Sequence, residues 1–136
     1  MNKEFIPHEQ ALSLKELGFN ERCLGFYNED TITYTLNLRN SAERPHVTAV
    51  LFQQAFRWFR EKGYYYQIEI CQEKHPLKSK YSFSLYGKDF YYEYPKQYGW
   101  IDDFPRFKTY EEAELECLNK LIEIVNAAAI KSNNQQ

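Results

Sequence analysis

Half of the chain's Tyr, Phe and Trp residues fall in one stretch, from Tyr81 to Tyr110. Tyr81, Phe83, Tyr86, Phe90, Tyr91, Tyr92, Tyr94, Tyr98, Trp100, Phe104, Phe107 and Tyr110 sit there among few aliphatic residues. Tyrosine has an apolar body and a polar tip, so it suits surfaces that are covered on one side and wet on the other. The stretch must therefore supply a core edge built from tyrosine, a surface for a partner, or both. Strand alternation limits how much of it can be buried. Tyr91 points opposite to Tyr92 and Tyr94, so these three cannot share one covered face.

The 136-residue length predicts one domain over residues 1–130 followed by a polar tail, 131–136. Apolar and charged contents of 43% and 26% are those of an ordinary globular chain. A net charge of -2 argues against a dedicated phosphate-gripping surface, which needs clustered Lys and Arg. MNKEFIPHEQ has no apolar run that could serve as a signal-peptide core, and no segment approaches the roughly 18 apolar residues of a membrane span. Cys23, Cys71 and Cys117 are odd in number and widely spaced, unlike a disulfide framework. The expectation is a cytoplasmic, reduced protein with no membrane association.

Local patterns order the elements. Pro7 suits the opening of a helix from His8 to Leu17, and Gly18 can take the left-handed position that ends it, with Leu14 and Phe19 as the accompanying apolar pair. Ile32, Tyr34, Leu36 and Leu38 alternate with Thr31, Thr33, Thr35 and Asn37, the pattern of a half-buried strand. Cys23 to Tyr27 can pair with it through Asn28-Glu29-Asp30, although Gly25 weakens that strand. Pro45 fits the start of a second helix in which Val47, Leu51, Phe52, Ala55, Trp58 and Phe59 share an arc opposite Gln53, Arg57 and Arg60, and Gly63 ends it. Tyr64 to Gln72 and Lys80 to Tyr86 alternate as a hairpin, and Phe90 to Tyr94 follows as a shorter strand. Thr-Tyr-Glu-Glu at Thr109 is a capping box, with Glu112 expected to reach back to the Thr109 N–H. Leu118, Leu121, Ile122, Val125 and Ala129 form the apolar stripe of that last helix, widened by Cys117 and Ile124. The predicted class is α+β, an antiparallel sheet packed against helices in the order α-β-β-α-β-β-(β)-α.

The candidate chemistry is sparse. Cys71 and His75 make half of a metal-ligand spacing, with His8, His46, Cys23 and Cys117 scattered. A buried strand cysteine and a solvated loop histidine explain the pair without a metal. No nucleophile elbow, P-loop or dinucleotide fingerprint is present, so no cofactor is implied and catalysis would need a Cys–His pair brought together by the fold. Asp102 and Asp103, with Glu93 near in sequence, could form a general acid if desolvated, but acidic residues in a Gly/Pro loop usually form turns. From Pro45 to Ala129 the order of elements resembles the double-stranded-RNA-binding domain. The phosphate-contacting turn of that family is matched here by Glu111, Glu112, Glu114 and Glu116, which would repel phosphate. Single-stranded bases stacked on the aromatics, with Arg57, Arg60, Lys96, Arg106 and Lys108 supplying charge, remain an alternative.

FKTYEEAELECLNKLIEIV after an aromatic strand pair, with EQALSLKELGF and FQQAFRWFREKGYYYQIEI, resembles small proteins encoded by bacteriophages and prophages of gut Bacteroidetes. That set has no established activity, and the resemblance implies only a compact phage or mobile-element accessory protein that binds rather than catalyses. The expected function is thus a protein-binding module acting through Tyr91, Tyr92, Tyr94, Tyr98, Trp100 and Phe104, with another protein or a second copy as partner. Single-stranded nucleic-acid binding on the same aromatics is the alternative, and a small enzyme using Asp102, Asp103 or a Cys–His pair is the third reading.

Overall fold

A computed structural model of the chain describes residues 2–71, 80–94 and 107–134. The fold is α+β in the expected order, and its strands divide into two three-stranded antiparallel sheets. After a 3-10 turn, Asn2–Glu4, the elements are α1 (His8–Glu16), β1 (Cys23–Asn28), β2 (Thr31–Leu38), β3 (Val47–Thr48), α2 (Phe52–Glu61), β4 (Tyr65–Cys71), β5 (Lys80–Tyr86), β6 (Tyr91–Tyr94) and α3 (Tyr110–Asn134). Two compact units result, one comprising Met1–Trp58 and Ile122–Gln136, the other Phe59–Leu121.

The first unit holds the sheet β2-β1-β3. α1 ends as its sequence dictates. The Phe19 N–H bonds the Leu14 carbonyl at 2.9 Å and the Gly18 N–H bonds the Lys15 carbonyl at 3.0 Å, with Gly18 at φ 98. Leu14 and Phe19 are both buried, and the Phe19 ring meets Trp58 edge-on at 5.6 Å. The second helix begins at Phe52, not at Pro45, because Val47 and Thr48 pair with Tyr27 and Phe26 of β1. Two side chains hold the backbone there in extended form. Lys15 Nζ donates to the Arg44 and His46 carbonyls, each at 2.8 Å, and buried Asn40 accepts the Thr48 N–H at 3.0 Å. The weakness expected at Gly25 has a purpose: a Cβ there would stand 2.5 Å from the Thr33 carbonyl oxygen. β2 is not half-buried as its alternation suggested, since Tyr34 and Leu36 are 61% and 80% exposed.

The second unit holds the sheet β4-β5-β6. α2 leads into it through the same stop grammar, with the Tyr64 N–H on the Phe59 carbonyl, the Gly63 N–H on the Arg60 carbonyl, and Gly63 at φ 92. The N-terminal half of α3 covers one face of this sheet: Ala113, Cys117, Leu118 and Leu121 are buried, as are Phe83 and Leu85 of β5. Thr109 Oγ1 accepts the Glu112 N–H at 3.1 Å, as the capping box requires. The Glu112 carboxylate, however, takes the Lys108 N–H at 3.3 Å, one residue before its expected donor. α3 continues through Lys131 to Asn134, residues that read as a polar tail, and Ala129 is exposed instead of joining the apolar stripe.

Candidate functional site

Register fixes which aromatics of the second unit face outward. Tyr65 of β4 lies opposite Tyr86 of β5, and Tyr86 lies opposite Tyr91 of β6, so three tyrosines form one row across the sheet. They are 42%, 41% and 66% exposed. The Tyr65 and Tyr86 rings stack with centroids 5.6 Å apart and an interplanar angle of 20°. The next row on this face is Gln67, Ser84 and Glu93, followed by Glu69 opposite Ser82. The turn that aligns Tyr86 with Tyr91 depends on Gly87, where a Cβ would stand 2.4 Å from the Phe90 ring. Phe90 itself packs on Tyr64 at 5.6 Å.

Two carboxylates, Glu69 and Glu93, lie on this face beside the tyrosine row. The Tyr91 hydroxyl donates to Glu93 Oε2 at 3.2 Å, and that hydrogen bond, ahead of slight desolvation and the charges of Glu93 and Glu69, raises the Tyr91 pKa. The phenol thus stays protonated and holds the carboxylate beside the ring. Lys88, in the β5–β6 turn, is followed at once by the acidic Asp89. Three phenol faces bordered by Glu69 and Glu93 offer π surface and negative charge together. That combination suits a guanidinium or ammonium group and disfavours phosphate.

The expected binding residues separate accordingly. Tyr91 belongs to the exposed row. Tyr92 and Tyr94 turn to the covered face and are half-buried there. Their rings lie 6.1 and 6.0 Å from Phe83, Tyr94 lies 5.4 Å from Phe107, and Lys120 Nζ stands 4.6 Å over the Tyr92 ring. They are packing residues. Tyr98, Trp100 and Phe104 lie outside the described residues, as do Asp102, Asp103 and His75. Sequence reading passed over Tyr65 and Tyr86 as site residues; the signal was their parity with Tyr91 once the strands are set in register.

The other candidate groups are occupied elsewhere. Cys117 is buried, and desolvation, reinforced by Glu114, drives its pKa up, away from thiolate chemistry. Burial likewise raises Cys23, against weaker opposing contributions from Thr48 and Gln54. His8 stacks on Tyr27 at 5.0 Å, and His46 Nε2 donates to the Arg39 carbonyl at 2.8 Å. Among the described residues no Cys–His hydrogen bond forms, and no cluster of three or more His, Cys, Asp or Glu is placed to hold a metal. A cleft of about 290 Å³ in the first unit lies between Phe5, His8, Tyr27, Asp30 and Ile32. Its Tyr27 hydroxyl donates to the Ile6 carbonyl, and burial pushes the Tyr27 pKa up to about 12. Among the described residues no helix is long and apolar enough to cross a membrane. No protein-family model, curated protein or solved structure matches the chain.

Proposed function

We propose that this chain is a small protein-binding module, in the phage or mobile-element accessory setting that its sequence resemblance implies, and that it captures a basic segment of a partner protein. The observation that supports this reading is the exposed row Tyr65, Tyr86 and Tyr91 with Glu69 and Glu93 on the same face. Exposed, clustered aromatics are enriched at protein interfaces, where rigid rings supply contact area at little entropic cost. A Lys or Arg side chain laid over such a ring gains about 0.5–2 kcal/mol, more as it is desolvated. Glu69 and Glu93 add attraction for the same groups and select against acidic partners.

Single-stranded nucleic acid is the second reading, favoured by one feature: the tyrosines lie across adjacent strands of an antiparallel sheet, as base-stacking platforms do. The carboxylates beside the rings oppose it. The discriminating experiment is fluorescence anisotropy with labelled Arg- and Lys-rich peptides and labelled single-stranded oligonucleotides, across a salt series. The expected result is peptide binding, weakened about tenfold or more by Tyr86→Ser. Glu93→Lys should shift preference toward acidic peptides. Capture of oligonucleotides in preference to peptides, with a steep loss on adding salt, would sink the proposal.

A further inference from the structure

In the first unit's sheet, β2 is an edge strand: it pairs with β1 on one side, and among the described residues no strand pairs with its other side. The Ala49 N–H bonds the Gly25 carbonyl at 2.9 Å, which turns the Gly25 backbone toward β3. Alternation turns Phe26 toward β2 and its partner Thr33 toward β1, so Ile32 and Tyr34 aim their N–H and C=O groups off the open edge. Edges of this kind are commonly guarded by Lys, Pro or inward charges. Thr31–Leu38 has none: TITYTLNL carries no charge, no Pro and no Gly. Within it, Tyr34 and Leu36 are 61% and 80% exposed. A register shift near Leu36, with Asn37 at φ 60, twists the far end and leaves 31–34 regular.

We propose that this edge is a self-association surface on which a second copy of the chain lays its own β2 antiparallel, joining two three-stranded sheets into one about a two-fold axis. The charges at the strand ends select both occupant and direction. Exposed Glu29 and Asp30 precede β2, and exposed Arg39 follows it. An antiparallel second copy sets the acidic end of each strand near the basic end of the other, twice over by symmetry, with nothing charged between. A parallel copy would set acid beside acid. Growth stops at two copies, because the sheet's other edge is the two-residue β3, buried and lying against α1. The surface lies on the first unit and owes nothing to the tyrosine row of the second.

Sedimentation equilibrium of the full chain over a concentration series tests it. The wild type should approach twice the chain mass. Leu36→Lys, at a position already open to solvent, should lower self-association about tenfold or more while the far-ultraviolet circular dichroism is unchanged. Asp30→Arg and Arg39→Glu should each weaken it alone, and an equimolar mixture of the two should restore it, since only the mixed pair regains both opposite-charge contacts. A wild type that stays monomeric throughout overturns the proposal. So does a dimer that ignores Leu36→Lys, or a mixture no better associated than either variant alone.

Discussion

Asn40 is 8% exposed and serves two backbone groups that have no ladder to join: its amide nitrogen donates to the Phe19 carbonyl at 3.0 Å, and its carbonyl accepts the Thr48 N–H at 3.0 Å. Asn40→Ala would strip both, leaving a buried donor and acceptor without partners, at a cost of about 2–4 kcal/mol. Urea unfolding should show the loss as a lower midpoint with an unchanged slope. Nothing in the sequence marked this residue, because an Asn among Arg39 to Arg44 reads as an ordinary loop former. Glu114 carries a different kind of consequence. Burial first, and then Glu111 on the preceding turn, raise its pKa above the usual carboxylate value. The folded chain therefore binds that proton more tightly than the unfolded chain does. The resulting stabilisation is complete below the unfolded carboxylate pKa and is lost as pH rises through the raised folded value. Glu114→Gln should be more stable than wild type at neutral pH, by a few tenths of a kcal/mol because the group is half-solvated and screened. The two stability curves should converge as pH falls into the ordinary carboxylate range.

Among the elements, α3 depends most plainly on its first turn. Thr109 caps the Glu112 N–H, and Glu112 in turn closes on Lys108. Thr109→Ala should cost about 1 kcal/mol and Thr109→Asp little, read from thermal melts of the two variants. This cap was legible in four consecutive letters, as were the glycine stops of α1 and α2, because each involves groups within about five residues of one another. What sequence could not give came from pairing at a distance. Val47 fits a helical arc by angle alone. It becomes strand because β1 offers it a ladder, Lys15 holds the carbonyls before it, and Asn40 takes the N–H after it. The alternation of β2 was real, yet burial requires a covering element: Tyr34 meets the Phe5 ring only edge-on at 6.2 Å, and it and Leu36 stay exposed. The candidate site divides in the same way. Alternation alone separates Tyr91 from Tyr92 and Tyr94. Assembling Tyr65, Tyr86 and Tyr91 into a row takes the β4-β5 and β5-β6 registers, which no local pattern carries.

For the molecule as a whole, the two proposed surfaces belong to different compact units and share no residue. They also differ in physical kind. The tyrosine row combines π faces with carboxylates, so its affinity for a basic segment should weaken as salt screens Glu69 and Glu93. The β2 edge is uncharged along its length and draws on backbone hydrogen bonds and on Tyr34 and Leu36. Added salt should therefore reduce only the contribution of its charged ends. A net charge of -2 is too small to impose one long-range behaviour on both. Substitutions at sites without shared partners usually act independently. Tyr86→Ser should accordingly keep the concentration-dependent mass of the wild type while losing peptide affinity, and Leu36→Lys should keep the peptide titration while losing the mass increase. Running both assays on both variants separates surface effects from damage to the fold. If either substitution depresses both activities while the far-ultraviolet circular dichroism is unchanged, the two surfaces are coupled and their independence is overturned.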